Sequence, residues 1–241
     1  MNAQATLQQM QKMKLLGMAS SYQAILELPL DKHPATHDCI ATLLDAELQN
    51  RAHRRTQMLL RLSKLRYRCS IQDIIYNDQR NLEKQTIAQL ADCSFINRAQ
   101  NLFITGATGC GKSYIACAVG NQACLLGYRT LYFNMNRLCE QIAVAKVDGS
   151  FIKFINRIQR AALIILDDFG LQPLNHPIKL ALLQIMEDRY AKSSTLICSQ
   201  LPLAKWYEYL DDPTLADAIM DRITAKSSNI KLLGESLRKS S

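Results

Sequence analysis

No uninterrupted apolar run in the 241 residues approaches the ~18 needed to cross a bilayer, and no basic and apolar targeting pair opens the chain. The expected location is therefore cytoplasmic, with no membrane partner. None of the eight cysteines form a C-x-x-C pair. Cys110, Cys117 and Cys124 recur every seven residues, and two of them share a helix face. Reduced, buried thiols acting as small hydrophobes are the expected use, rather than metal or redox chemistry. Zinc-finger spacing and a helix-turn-helix pattern are both missing, so any nucleic-acid contact is expected to be independent of base sequence. Residues 1–70 hold a single glycine, Gly17, and only Pro29 and Pro34, and their periodicity is helical. Acidic residues are missing from Arg51 to Arg68, where seven Lys or Arg occur.

The composition that remains, 48% hydrophobic and 21% charged, is that of a soluble globular chain. A formal charge of +8 makes an acidic polymer the first candidate partner. At about 100° per residue, Met58, Leu62 and Leu65 draw an apolar face flanked by Arg54, Arg61, Lys64 and Arg68. A merely solvated face mixes both signs of charge, whereas this one is uniformly positive. Contact with a phosphate backbone is the expected role of those four cations. Residues 71–97, polar with scattered apolar anchors, then form an ordered connector.

The stretch "GATGCGKS", residues 106–113, fits G-x-x-x-x-G-K-[ST]. The phosphate-binding set it defines is Gly106, Ala107, Thr108, Gly109, Cys110, Gly111, Lys112 and Ser113, with Tyr114 next in line. Glycines let the backbone turn its N–H groups toward phosphate oxygens, Lys112 reaches the β and γ phosphates, and the Ser113 hydroxyl holds Mg²⁺. An apolar strand, "NLFITG", precedes the loop, and a helix from 112 to 127 follows it, closing at Gly127. The cofactors implied are ATP and Mg²⁺.

Further apolar runs at 128–134, 162–170, 194–200 and 229–233 alternate with helical stretches at 136–146 and 178–193. This is the rhythm of a doubly wound parallel α/β sheet, in which residues that end separate strands converge on one ligand. Asp167 and Asp168 end one strand: the first is suited to Mg²⁺, the second to orienting or deprotonating the attacking water. The competing reading is that an Asp pair after a strand simply caps the loop that follows. Gln200, beside Ser199, ends the next strand where an amide can touch the γ phosphate. Arg222, on a short amphipathic helix with Ala218, Ile219 and Ile223, is either an arginine finger for a neighbouring subunit or a surface cation beside Asp221. A small-molecule kinase uses the same loop, but that reading leaves the basic arm and Arg222 without a purpose.

Taken in order, the helical arm, "GATGCGKS", "LIILDDFG", "STLICSQLPLAKWYEYLDDPTLADAIMDRI" and "LLGESLRK" closely resemble the IstB-like transposition helper ATPases of bacterial insertion sequences. That group is similar to the DnaC-type helicase loaders within the AAA+ class. The resemblance spans essentially the whole chain. It implies a P-loop NTPase domain of AAA+ type at 98–241, the 71–97 connector, and an all-helical basic domain at 1–70; the few residues between the last strand and Ser241 depart from that pattern, and the expected domain is without a C-terminal lid. It also implies an ATP-driven homo-oligomer that binds double-stranded DNA non-specifically, remodels it, and recruits and stimulates a cognate transposase. A replicative helicase loader is the alternative. Carried onto this chain, Lys112 and Ser113 take the Walker A positions, Asp167 the metal carboxylate and Asp168 the catalytic acid. Gln200 takes the first sensor, Arg222 the box VII arginine, and Arg238 the second sensor. Many AAA+ enzymes carry Glu where Asp168 stands and Asn where Gln200 stands, which implies slow hydrolysis.

Overall fold

The computed structural model describes residues 2–76, 78–234 and 236–237. Its packing divides the chain into two units, Met1–Met58 and Leu59–Ser241. Residues 59–97 thus pack with the larger unit.

In the smaller unit, helix α1 (Ala3–Lys12) packs on α2 (Leu16–Leu26), and α2 meets the first part of α3 (Thr36–Ser63). Asn2 caps α1, its Oδ1 accepting from Ala5 N at 2.9 Å. Helix α2 has no side-chain cap of its own, and a residue of α3 supplies one. Glu47 Oε2 accepts from Gly17 N at 2.8 Å and Met18 N at 3.3 Å, while Arg51 Nε donates to Glu47 Oε1 at 2.8 Å. A carboxylate thereby meets the positive end of α2 and satisfies two of its orphan donors. Gly17 is required by proximity: a Cβ there would run into the Ala46 carbonyl and come within 2.7 Å of Glu47 Cα.

Helix α3 ends sooner than the periodicity predicts. Lys64 adopts a left-handed φ of 53°, so Lys64, Leu65 and Arg68 leave the helical face assigned to them with Arg54 and Arg61. The buried residues of that last stretch are Leu59 and Ser63, whereas Met58 and Leu62 are exposed. Leu65 packs instead into the core of the larger unit. Among the described residues, no helix is long and apolar enough to cross a membrane.

The larger unit adds α4 (Lys84–Ala91), α5 (Ser94–Asn97), β1 (Asn101–Gly106), α6 (Lys112–Leu125), β2 (Thr130–Asn134) and α7 (Met135–Val147). Then come α8 (Phe151–Gln159), β3 (Leu163–Phe169), α9 (His176–Arg189), β4 (Ser194–Ser199), α10 (Trp206–Leu210), α11 (Pro213–Thr224) and β5 (Ser227–Leu232). The strands make one parallel sheet in the order β2-β3-β4-β1-β5. Successive strand residues point to opposite faces, and both faces are covered. Phe103, Leu131, Phe133, Ile164 and Ile197 meet α7 to α11 on one side; Leu102, Ile104, Ile165 and Leu196 meet α4 to α6 on the other. Trp206, wholly buried, wedges its ring against Phe103 and Phe169 at centroid distances of 5.0 and 4.8 Å. Helix α6 closes as expected, with Gly127 N donating to Cys124 O and Tyr128 N to Ala123 O. Six cysteines are buried, and burial pushes the Cys69 and Cys93 thiols up to about 12.

Gly17→Ala is expected to cost about 1–3 kcal/mol, the usual penalty of overpacking a tight contact. Its measure is the thermal unfolding midpoint followed by helical circular dichroism, and an unchanged midpoint would mean that α2 can move off α3 freely.

Candidate active site

The phosphate loop joins β1 to α6. Gly109 and Gly111 hold left-handed φ angles of 82° and 94° that side-chain-bearing residues adopt rarely. A Cβ on Gly109 would collide with the Ser236 hydroxyl, so the loop also lacks room for one. The Lys112 ammonium lies across the loop, donating to Gly106 O at 2.9 Å and Ala107 O at 2.8 Å. This arrangement holds a cationic amine inside a ring of backbone at the start of a helix, which is the architecture that takes an anion.

Asp167 is completely buried, and each of its oxygens has a donor. Ser113 Oγ donates to Oδ1 at 2.9 Å, the Asp168 N–H to the same oxygen at 3.0 Å, and the Tyr132 hydroxyl to Oδ2 at 2.6 Å. Burial, and then the hydrogen bond to Asp167, push the Tyr132 phenol upward, so it acts as the donor. The Ser113 hydroxyl and the Asp167 carboxylate are hard oxygen donors. Their 2.9 Å separation is about that of adjacent corners in an octahedron with 2.0–2.1 Å bonds, so they fit Mg²⁺. Among the described residues no cluster of three His, Cys, Asp or Glu side chains converges elsewhere as a metal site.

Asp168 lies at an irregularity: β3 pairs with β4 through Leu166↔Ile197 and resumes only at Phe169↔Ser199. Its own φ is 61°, an uncommon conformation for a residue with a side chain. Asn134 Nδ2 donates to Asp168 Oδ2 at 2.7 Å, and Arg66 Nη1 stands 3.9 Å from the same oxygen. Burial, and then the neighbouring charge of Asp167, raise the Asp168 carboxyl above the usual range, while Arg66 and Lys112 oppose that.

Gln200 closes the constellation by accepting from Thr108 Oγ1 at 2.7 Å, so β4 and the phosphate loop touch through these two side chains. Ser199 turns away to brace the bulge, donating to Phe169 O at 2.6 Å. Tyr114 directs its ring to Tyr67, at 6.2 Å between centroids. Arg222 is held by Glu187 at 2.5 Å and Asp221 at 3.2 Å, and lines a small cavity with Asn101 and Thr195 at the amino ends of β1 and β4. The phosphate loop follows the carboxyl end of β1, so Arg222 and the loop of its own chain lie at opposite ends of the sheet. Arg54, Arg61, Lys64 and Arg68 are exposed. Arg238 lies outside the described residues.

Several contributors were not visible in the sequence. Arg80, in the segment before β1, donates from Nη2 to Cys110 O at 2.7 Å and receives Leu233 N at its carbonyl. Leu237 N donates to Gly109 O at 3.1 Å, which lays part of the "LLGESLRK" tail against the phosphate loop. Tyr132 and Asn134 read only as β2 residues until the fold brings them to the two carboxylates.

Tyr132→Phe should leave Asp167 Oδ2 buried without its donor, at a cost of about 1–3 kcal/mol. Equilibrium urea unfolding measures it, and a midpoint equal to that of the parent chain would show that another donor replaces the phenol.

Comparison with known proteins matches the sequence to one family. The family model described as IstB-like ATP binding protein matches residues 8–241. An ATP-binding protein ascribed to an insertion sequence of Sinorhizobium fredii is 37% identical over 239 residues, covering 99% of this chain and 98% of that one. A second, ascribed to insertion sequence IS1162 of Pseudomonas fluorescens, is 37% identical over 203 residues, covering 84% and 88%. Among solved structures, DnaI is similar with a TM-score of 0.59 at 19% identity, over 73% of this chain and 93% of that one. AMPPCP-bound DnaA of Aquifex aeolicus is similar at 0.57 and 19%, over 69% of this chain and only 51% of that one. These likenesses establish the AAA+ P-loop fold. The chain belongs to the IstB-like ATP binding protein family.

Proposed function

We propose that the chain is a slow ATPase that assembles with ATP on duplex DNA without sequence preference, remodels that DNA, and recruits and stimulates a transposase. The observation that carries this reading is the convergence of Lys112, Ser113, Asp167, Asp168 and Gln200 at the carboxyl ends of three strands. Support for the partners comes from the exposed cations at 54–68, which have no acidic partner among the described residues at Arg54, Arg61, Lys64 or Arg68. The insertion-sequence proteins to which the chain is similar along nearly its full length point to the transposase. A DnaC-type helicase loader is the second reading, favoured by fold likeness alone, with a TM-score of 0.56.

In this reading the loop N–H groups and Lys112 bind the phosphates of ATP, and Asp168 orients a water on the γ phosphorus. The water oxygen bonds to phosphorus as the bond to the β–γ bridging oxygen breaks, ADP leaves, and the water proton passes to the carboxylate. Mg²⁺, held by Ser113 and Asp167, would neutralise phosphate charge when bound. Gln200, tied to Thr108, is placed to respond to loss of the γ phosphate. The setting is the cytoplasm.

Lys112→Ala should abolish ATP binding and the DNA-bound oligomer together, as read by light scattering with a non-hydrolysable ATP analogue and duplex DNA. Assembly that persists in this variant would remove ATP as the switch. Asp168→Asn should keep assembly and stop phosphate release, and an unchanged turnover would take Asp168 out of the chemistry. Neutralising Arg54, Arg61, Lys64 and Arg68 should flatten the salt dependence of DNA binding, by roughly 0.9 in log–log slope for each phosphate no longer neutralised. A slope equal to that of the parent would assign the arm to protein contacts.

A further inference from the structure

Between Arg61 and Arg68, where phosphate contacts are assigned to Arg61, Lys64 and Arg68, the cation left without one is Arg66. Arg66 follows the left-handed turn at Lys64, and its guanidinium stacks over the Tyr67 ring with Cζ 5.2 Å from the centroid. Its Nη1 reaches Asp168 Oδ2 at 3.9 Å, and it neighbours the Tyr132 hydroxyl that donates to Asp167. The segment is anchored behind it: Cys69 Sγ donates to Tyr114 O at 3.4 Å, and the Tyr67 and Tyr114 rings meet. The basic run and the hydrolytic carboxylates therefore share a side chain.

We propose that Arg66 is a positioning residue that couples DNA to hydrolysis: without DNA it restrains Asp168 beside Asn134, and a backbone phosphate of bound duplex takes its guanidinium and frees the carboxylate. The inference rests on the DNA-dependent ATPase reading given above. Three features of the contact support it. The pair is long and not bidentate, and the Arg66 side chain keeps 44% of its exposure, so an incoming phosphate can reach it. A guanidinium gains two parallel charge-assisted hydrogen bonds from a phosphate, more than this single contact provides. Asp168 has a left-handed backbone, uncommon for a residue with a side chain, and its Oδ2 is shared between Asn134 at 2.7 Å and Arg66 at 3.9 Å, so removal of Arg66 changes what that oxygen faces. A ligand shifts such an equilibrium only by binding its two states unequally, and DNA does so here because Arg66 cannot serve Asp168 and a phosphate at once.

The test is steady-state ATP turnover by the full chain, with and without a duplex of about fifty base pairs, long enough for many phosphate contacts. The parent chain, Arg66→Gln and Arg66→Lys are compared. Arg66→Gln should raise DNA-free kcat to the DNA-stimulated level of the parent, bring the stimulation ratio to about 1, and leave KM for ATP unchanged, since Arg66 has no part in the proposed ATP contacts. Arg66→Lys, which keeps the charge, should restore low basal kcat and stimulation. The salt slope of DNA binding by Arg66→Gln should also fall by roughly 0.9, because one phosphate fewer is neutralised. A Gln variant that keeps the parent ratio overturns the coupling. So does one in which kcat falls equally with and without DNA, which would make Arg66 a structural prop. A parent chain that DNA does not stimulate overturns the DNA-dependent reading itself, and is distinguished from those outcomes by the parent alone.

Discussion

The buried carboxylate of Asp167 orders the rest of the site. A carboxylate taken wholly out of water costs several kcal/mol unless donors replace the solvent. The three replacements come from different parts of the fold: Ser113 from the first turn of α6, Tyr132 from β2, and the backbone at Asp168. Each donor satisfies the charge only in one position, so the carboxylate fixes the phosphate loop against β3 and β2 against both. The apolar packing beneath, with Ile104, Ile165 and Cys198 fully buried, excludes water from that arrangement and keeps the polar contacts strong.

A regular strand could not present two successive carboxylates to one crevice, because neighbouring side chains point to opposite faces. The irregularity between Leu166 and Phe169 removes that restriction, and the left-handed Asp168 turns its side chain toward Asn134 and Arg66 while Asp167 faces Ser113. Bulges of this kind re-aim side chains at functional sites. Here the bulge is braced from β4, where Ser199 Oγ donates to Phe169 O and accepts from Leu201 N at 3.0 Å. The hydroxyl next to Gln200 is thus a structural fastening, and the amide beside it is free to face Thr108.

Features encoded by neighbouring residues were legible from sequence. The loop carries its own glycines and lysine, the apolar runs announce β1, β3 and β4, and the Asp pair stands out because it ends a run of aliphatics. Contacts made across the sheet carry no such local signal. Tyr132 is an ordinary strand aromatic until β2 and β3 pair Asn134 with Asp167 in register. Arg80 and Cys110 lie far apart in sequence and meet only because the segment before β1 folds back over the loop. Helical periodicity failed at the end of α3 for a related reason. Met58, Leu62 and Leu65 do trace one face of an ideal helix, but Leu65 packs in the core of the larger unit, against α6 at Gly120, and not on a longer helix. The chain turns at Lys64 to place it there.

The position of Arg222 bears on the quaternary level through the geometry of one chain. Strand β1 runs from Asn101, whose side chain lines the same cavity as Arg222, to Gly106, where the phosphate loop begins. Its six residues rise about 3.3 Å each, so the two ends lie roughly 16 Å apart, well beyond the reach of an arginine side chain. Within one chain the arginine is already paired with Glu187 and Asp221. In the proposed assembly it acts on the nucleotide of a neighbour, and the surface that offers Arg222 differs from the surface that receives it. Such a contact is heterologous: repeated from copy to copy it closes a ring or winds into an open helix, depending on the rotation at each step. An open helix is the form that can follow a DNA duplex of any length, and a ring is the form that limits how many copies engage it. The choice lies in the angle between α11 of one copy and the phosphate loop of the next.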